Sequence, residues 1–170
     1  MMKYNFLAPD IPAEFEEGSN WEPCSTVFRG EYDIRYGEDG YATHRDSEII
    51  EFTTHRPSSG WYFGRFGRSP ETCYKYTVSY KRDTDRYLGL HLKPVGKKRR
   101  FRKQARVPEL RMVTRHDRYP VSLYCHTNTF ATSINVLIRM LDQWWFVDDN
   151  GQLTLSSSSR TEFLLIRRSV

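Results

Sequence analysis

The range 74–93 constrains the fold of this chain most, because apolar and polar side chains alternate there with a period of two residues. In 74–81 an aromatic residue or valine stands at every second position, with lysine, threonine or serine between. In 88–92 leucines alternate in the same way, after the turn-forming sequence Asp83-Thr84-Asp85. Alternate side chains of a strand point to opposite faces of a sheet. The pattern therefore predicts an antiparallel hairpin with one apolar face and one basic, polar face.

Strand patterns recur along much of the rest of the chain, and turn-forming residues separate them. The sequence Gly37-Glu38-Asp39-Gly40 predicts a hairpin turn, because its residues tolerate positive φ. Asp149-Asn150-Gly151 predicts a second turn of this kind. The strand-like segments are 32–36 with the run after its turn, 48–54, 107–114, 121–125, 145–148, 152–155 and 161–167.

One segment near the end of the chain has the spacing of an amphipathic helix. Its apolar residues recur at i, i+4, i+7, i+11 and i+14, and Asn128 or Thr129 supplies an N-cap. We expect a helix over about 129–144 that packs on the sheet. The predicted fold class is therefore α+β, a single domain of mostly antiparallel sheet with one principal helix. The apolar stripe consists of Phe130, Ile134, Leu137, Leu141 and Trp144.

Length and composition bound the domain organisation. A chain of 170 residues can bury one core without metal or disulfide support. Residues 1–20 show no sustained period and are predicted to form an extended acidic arm, followed by one domain over 21–170 with a basic loop at 94–108. No apolar run approaches the length of a membrane span, and charges interrupt the opening where a signal peptide is apolar. We expect neither export nor membrane insertion.

The three cysteines, Cys24, Cys73 and Cys125, are odd in number and widely spaced. They form no C-x-x-C pair, and no histidine stands at zinc-finger spacing from them. The pattern predicts free thiols in a reducing compartment, where they serve as small buried apolar residues. It favours an intracellular protein in the nucleus, the cytoplasm or both. No metal site and no cofactor site is expected.

The formal net charge of +5 combines two opposite regions. Residues 1–51 carry a net charge of −8 and residues 52–170 carry +13. Within 81–118, fourteen Lys or Arg residues stand against four acids. Such a concentration is typical of a surface that binds nucleic acid or an anionic membrane. The alternative is that the two regions pair within the folded domain, although one acidic patch would not absorb the whole run 97–103.

The run 97–106 is the most specific functional feature, with seven basic residues in ten positions. Its cationic groups favour contacts with phosphates. An aromatic residue within it favours stacking on an unpaired base, which suits RNA and single strands better than closed B-DNA. The run is also typical of a nuclear localisation signal, and a solvated loop is a third interpretation. The candidate binding residues here are Lys97, Lys98, Arg99, Arg100, Phe101, Arg102, Lys103 and Arg106.

Two neighbouring features extend this candidate surface. The segment 60–68 combines glycine, aromatic and arginine residues, a composition that suits base stacking. Its alternative interpretation is a bulged core strand anchored by aromatic side chains. The polar face of the predicted hairpin can dock phosphates, and its alternative is a merely solvated face. The candidate residues are Trp61, Arg65 and Arg68 in the segment and Lys75, Lys81 and Lys93 on the hairpin.

Signals for catalysis are weak. The five histidines lack metal-binding spacing, and the chain has no P-loop, dinucleotide-binding or nucleophile-elbow motif. No catalytic residue is therefore assigned. Metal-independent RNA cleavage stays open as an alternative, because it needs only a histidine acid–base pair and a cation. His91, His116 and Lys93 flank the basic region and supply those groups.

The sequence therefore predicts a non-enzymatic RNA-binding protein that holds single-stranded or structured RNA on the basic loop and the sheet face beside it. The main alternative is a protein-interaction or scaffold module, such as a viral accessory or matrix-like protein. Its basic run would bind a nuclear import receptor, and its acidic arm would bind another protein. A metal-independent ribonuclease is the second alternative. A membrane partner is not expected, because no amphipathic basic helix or lipidation motif accompanies the run.

Overall fold

The chain folds into β-strands. The computed structural model describes residues 20–25, 27–44, 48–68, 74–80, 83–96, 100, 104–126 and 133–168, without the side chains of 67–68 and 83–85. A short 3₁₀ turn, Arg115–Asp117, lies between the eighth and ninth strands. The strands are β1 (Trp21–Pro23), β2 (Gly30–Tyr36), β3 (Gly40–Thr43), β4 (Glu51–Thr53), β5 (Trp61–Arg68), β6 (Tyr74–Tyr80), β7 (Asp83–Val95), β8 (Ala105–Val113), β9 (Val121–His126), β10 (Ser133–Met140), β11 (Gln143–Val147), β12 (Leu153–Ser156) and β13 (Phe163–Arg167).

Six strands close into an antiparallel barrel. Going around it, the order is β9, β10, β13, β2, β5 and β6, and the pairing of β6 with β9 closes the circle. The remaining strands attach outside. β1 extends the edge of β9, β3 and β4 extend β2, β11 and β12 extend β10, and β7 and β8 extend β6. A closed barrel leaves the inner strands without free edges.

The barrel interior is packed with aromatic and branched side chains. Phe28, just before β2, lies with its ring centroid 5.7 Å from that of Tyr32 and 5.9 Å from that of Tyr76. Its backbone N–H donates to the Tyr76 hydroxyl at 3.1 Å. Burial raises the pKa of Tyr76 above its ordinary value, although the Phe28 hydrogen bond acts in the opposite direction. This hydroxyl therefore serves as a buried hydrogen-bond partner of the backbone.

The predicted helix over 129–144 is wrong, and with it the α+β fold class. Ser133–Met140 is a strand, Gln143–Val147 is the next, and only Leu141 and Asp142 join them. Both joining residues have positive φ, 53° and 55°. This is the conformation of a two-residue type I′ hairpin turn. The described residues contain no α-helix, so the fold is all-β.

The helical spacing arose because β10 is buried on both faces. Val136 and Ile138 point into the barrel and are fully buried. Leu137 points outward but is covered by Tyr124 and Trp144. A strand buried on both sides carries apolar residues at consecutive positions, so a helical stripe can be picked out of it. The β-branched residues favour the strand.

The strand predictions are largely confirmed. The hairpin around Gly37 is formed by β2 and β3, and Gly37 has φ of 68°. The turn 149–151 joins β11 and β12, with φ of 76° at Gly151. Of the alternating segments, 74–80 and 88–93 lie in β6 and β7, which pair antiparallel. The predicted turn at 83–85 is wrong, because Asp83 already pairs with Tyr80 and these residues belong to β7. Period-two patterns were reliable where one face of a strand is buried and the other is not.

A disulfide replaces two of the three thiols expected from the sequence. Cys24, directly after β1, is bonded to Cys125 in β9, with the Cα atoms 4.9 Å apart. The backbone N–H of Cys24 also donates to the Leu123 carbonyl at 3.1 Å. The bond closes a loop between residues 101 positions apart. It fastens the start of the described chain to the barrel, and Cys73 lies outside the described residues.

A buried carboxylate on β2 joins two further segments to that strand. Asp33 on β2 is 2% exposed, and its two oxygens accept hydrogen bonds from Arg56 Nε at 2.8 Å and Arg168 Nε at 2.9 Å. Arg168 also donates to the carbonyls of Pro57 and Ser58. A buried charge needs such partners to offset its lost hydration. The cluster therefore fixes the segment after β4 and the end of β13 against β2.

Among the described residues, none forms a helix with the length and hydropathy of a membrane span. Of the predicted acidic arm, only Asn20 belongs to the described part of the chain. The predicted domain boundary at residue 21 therefore stays a prediction.

We expect Cys24 and Cys125 to be oxidised in the folded protein. Unfolded in guanidinium without reductant, the chain should show one reactive thiol in a colorimetric assay. Cys24→Ser with Cys125→Ser should lower the free energy of unfolding by about 4 kcal/mol. A disulfide that closes a loop of this length lowers the entropy of the unfolded chain, and the variant loses that stabilisation. Three reactive thiols from the unreduced wild type would contradict the bond.

Candidate nucleic-acid interface

The edge of β6 is divided between two partners. At its beginning, Lys75 pairs with Ser122 of β9, and the Lys75 ammonium donates to the Ser122 hydroxyl at 2.5 Å. At its other end, Ser79 pairs with Tyr87 of β7. Beyond this division, β7 and β8 pair with each other as a two-stranded ribbon that leaves the barrel wall. We call β7 and β8 from Tyr87 to Val113 the ribbon.

The chain between β8 and β9 fills the space where the ribbon leaves the barrel. Arg118 forms an isolated bridge with Gly89, and the Tyr119 N–H donates to the Leu88 carbonyl at 3.2 Å. A Cβ atom on Gly89 would lie 2.5 Å from the Asp117 carbonyl oxygen. Only glycine admits so close an approach of two backbone segments. The base of the ribbon is thereby held in place.

The far part of the ribbon is exposed on both faces. Near its base, Leu88 and Leu110 are buried, at 1% and 2% exposed. Farther out, residues 93–95 and 105–107 are all exposed. The ladder continues to the pair Val95 and Ala105, so residues 94–95 and 105–108 of the predicted loop belong to strands. The Gln104 side-chain amide donates to the Gly96 carbonyl at 2.6 Å across the base of this loop.

Two prolines lie at ribbon edges without breaking the ladder. Pro108 pairs with Leu92, and Pro94 pairs with Arg106. A proline has no N–H and cannot donate to a partner strand. Both prolines lie in non-hydrogen-bonded pairs, in which the N–H and C=O groups of the two residues point away from the partner strand. Met112, four residues after Pro108, has the same orientation, because its N–H points away from β7 and donates to the Glu48 carbonyl at 2.9 Å. Each proline therefore removes one outward-pointing donor from a ribbon edge.

The outer face of the ribbon carries cations arranged around Glu109. The Glu109 carboxylate pairs with Arg111 and, at 3.5 Å, with Lys93. Arg111 also lies 3.2 Å from Glu48. Burial tends to raise the pKa of Glu109, but the hydrogen bond from Arg111 and the charges of Arg111 and Lys93 outweigh it, so the pKa is lowered. The acid thus partly neutralises the base of the ribbon and leaves its far end basic.

The structure brings together only part of the predicted site. Arg106 and Lys93 lie exposed on the ribbon, and Arg100 is exposed within the loop beyond it. Lys75 lies on the outer face of β6. Arg65 is exposed on β5, with its guanidinium 4.8 Å from the Tyr74 ring centroid. Arg68 is the last residue of β5, and the structure describes only its backbone. The predicted site residues that lie outside the described chain are Lys81, Lys97, Lys98, Arg99, Phe101, Arg102 and Lys103.

Trp61 lies in the core rather than on the surface. It is 1% exposed, and its indole N–H donates to the Ala42 carbonyl at 3.0 Å. Its ring centroid is 5.0 Å from the ring centroid of Tyr80. The register of β5 with β6 shifts between Arg65 and Gly67. The segment 60–68 is thus a bulged core strand, as its alternative interpretation held, and Trp61 has no access to a base.

Sequence reasoning missed the residues on the outer face of β5 and β7. Tyr62 is 45% exposed and lies between the buried residues Trp61 and Phe63. Tyr87 pairs with Ser79 on the same face. Period-two alternation around the apolar positions 61 and 63 would have identified Tyr62 as outward-facing. The outward position of Tyr87 follows in the same way from Leu88.

The groups invoked for the ribonuclease alternative lie on the ribbon and in the 3₁₀ turn beside its base. His91 and Lys93 share the outer face of β7, and His116 lies in the 3₁₀ turn. Across the described ranges, no three His, Cys, Asp or Glu side chains are grouped as a metal site would need. Ribonuclease activity stays a prediction.

Comparisons with known proteins identify no relative. No protein-family model matches the chain, and no curated protein or solved structure matches it.

The lowered pKa of Glu109 makes the ribbon base sensitive to acid. A carboxylate with a lowered pKa in the folded state adds stability above its unfolded pKa of about 4.3 and loses it as the pH falls through the folded value. We expect Glu109→Gln to reduce the loss of stability between about pH 5 and pH 3. The free energy of unfolding, measured by urea denaturation across this range, checks it. Identical pH profiles for variant and wild type would contradict it.

Proposed function

We propose that this chain is a non-enzymatic RNA-binding protein whose ribbon is the principal contact. The single observation that carries the proposal is the projection of the ribbon beyond Leu110, with residues 93–95 and 105–107 exposed. The ribbon leads into the run 97–103, six of whose seven residues are basic. A basic element that projects from the barrel can meet phosphates along its length.

The cations of the far ribbon lie on both of its faces. Lys93 pairs with Val107 on the outer face, whereas Arg106 pairs with Pro94 on the opposite face. Glu109, the acid that pairs with Lys93, lies closer to the barrel, and the sequence between Lys93 and Arg106 contains no acid. This distribution suits a flexible, single-stranded phosphate backbone that can bend around the ribbon.

The scaffold alternative is weakened in one of its forms. A protein that docks by adding a strand needs outward N–H groups along an exposed edge. Pro94 and Pro108 remove such donors from the ribbon edges. Contacts through side chains are therefore favoured over strand addition. Binding of the loop to an import receptor and of the acidic arm to another protein stay predictions.

We expect the wild type to bind single-stranded RNA with an affinity that falls log-linearly with salt. The slope should be about −0.7 for each phosphate neutralised. Fluorescence anisotropy of a labelled RNA of about 12 nucleotides across a salt series measures it. Lys93→Met with Arg106→Met should weaken binding and flatten the slope by about one or two phosphates. Glu109→Gln should strengthen binding, because Lys93 and Arg111 lose their competing acid.

Arg167→Met is the matched control, because Arg167 is exposed and lies on β13, three strands from β6 in either direction around the barrel. It should leave affinity and salt slope unchanged. A wild type that fails to bind RNA at low salt would overturn the proposed function and favour the scaffold alternative. Equal losses of affinity in the ribbon and control variants would mean that binding depends only on net charge, and would overturn the assignment of the ribbon as the contact.

A further inference from the structure

We infer that Tyr62 and Tyr87 form a slot for one unpaired base of the bound RNA, with Ser79 as its floor. The inference rests on the proposed function and adds to it a base-binding site. Tyr62 pairs with Ser79, and Ser79 pairs with Tyr87, in the register of three adjacent strands. The three side chains therefore lie in one row across the sheet.

The row faces away from the core. Phe63, Val78 and Leu88, each next in sequence to a member of the row, are 1%, 0% and 1% exposed and point inward. Successive side chains of a strand alternate between faces. Tyr62, Ser79 and Tyr87 therefore share the outer face. The next outward position on β7, Gly89, is buried where the Asp117 carbonyl approaches it, so the row borders the base of the ribbon.

The spacing of the row fits one flat ring. Neighbouring strands lie about 4.8 Å apart, so the two tyrosines are separated by about 10 Å at the backbone. A base stacked between two rings needs about 3.5 Å to each, or about 7 Å in all. Serine is short enough to leave this gap open. Its hydroxyl can also donate to or accept from a base edge.

The two tyrosines are not engaged elsewhere in the described structure. Tyr62 is 45% exposed, and within the described residues neither Tyr62 nor Tyr87 has a ring contact or a side-chain hydrogen bond. Because Ser79 separates them, they do not form the direct cross-strand aromatic pair that would stabilise the sheet. Exposed aromatic faces beside cations are the elements with which proteins stack unpaired bases.

Cations adjoin the slot on the ribbon side. Tyr87 pairs with Val113, and Arg111 lies two residues from Val113 on the same outer face of β8. The ion pair of Arg111 with Glu109 then leads along the ribbon to Lys93. An RNA strand whose phosphates follow these cations would pass its bases over the slot. The slot therefore adds base stacking to the phosphate contacts that the ribbon cations make.

The test compares two RNAs of identical sequence, a labelled single strand of about 12 nucleotides and the same strand annealed to its complement. Tyr62→Leu and Tyr87→Leu should each weaken binding of the single strand about tenfold, because each removes one ring on which the base stacks. Their salt slopes and their affinities for the duplex should not change. Tyr62→Phe should retain wild-type affinity, because it keeps the ring.

Tyr36→Leu is the matched control, since Tyr36 is 42% exposed at the end of β2, away from β6 and β7. Thermal unfolding confirms that each variant is folded. Leucine variants that bind the single strand as tightly as Tyr36→Leu would overturn the slot while leaving the proposed function intact. Equal losses for single strand and duplex would overturn base insertion. Absence of salt-dependent binding by the wild type would overturn the proposed function itself.

Discussion

The edge of β6 is shared by two strands, and both the barrel and the ribbon are built from that division. Its pairing with β9 closes the barrel, and its pairing with β7 carries a ribbon away from the barrel wall. A strand has only two edges, so β6 can serve both partners only by giving each a part of its length. The close approach of the Asp117 carbonyl to Gly89 packs the chain between β8 and β9 against the base of the ribbon. Barrel closure and the projection of the ribbon therefore both depend on how this edge of β6 is shared.

The sequence foretold the strands better than the fold class. Alternation was decisive where one face is buried, as in β6 and β7, and glycine in turns was decisive at Gly37 and Gly151. It misled at β10, where Leu137 is buried on the outer face by Trp144. Whether side chains from elsewhere in the fold bury the outer face of a strand depends on tertiary structure, and the spacing of apolar residues within the strand does not show it.

Only part of the candidate site could be predicted, because burial in the folded chain does not follow from local sequence. Charge density identified the run that follows β7, because a cluster of like charges is visible in the sequence itself. Composition alone also selected Trp61, which the barrel buries, and passed over Tyr62 beside it. The Cys24–Cys125 bond was beyond reach, since a separation of 101 residues carries no local signal.

The proposed RNA contacts lie in two places, on the ribbon and on the outer face of β5 to β7. The ribbon supplies phosphate contacts, which give affinity without sequence information, and Glu109 limits how many of its cations are available near the barrel. The row from Tyr62 to Tyr87 supplies flat surfaces that favour unpaired bases. Both parts depend on β6, whose outer face carries Ser79 between the tyrosines and whose edge starts the ribbon.

In the proposed complex, RNA lies along the outer face of β5 to β8 and bends around the far ribbon to reach Arg106. A titration of isotopically labelled protein with single-stranded RNA, followed by ¹H–¹⁵N correlation NMR, tests this placement most directly. We expect the amide signals of Tyr62, Ser79, Tyr87, Lys93 and Arg106 to shift, and those of β3, β4 and β13 to stay in place. Shifts centred on β3, β4 or β13, with the ribbon unaffected, would contradict it.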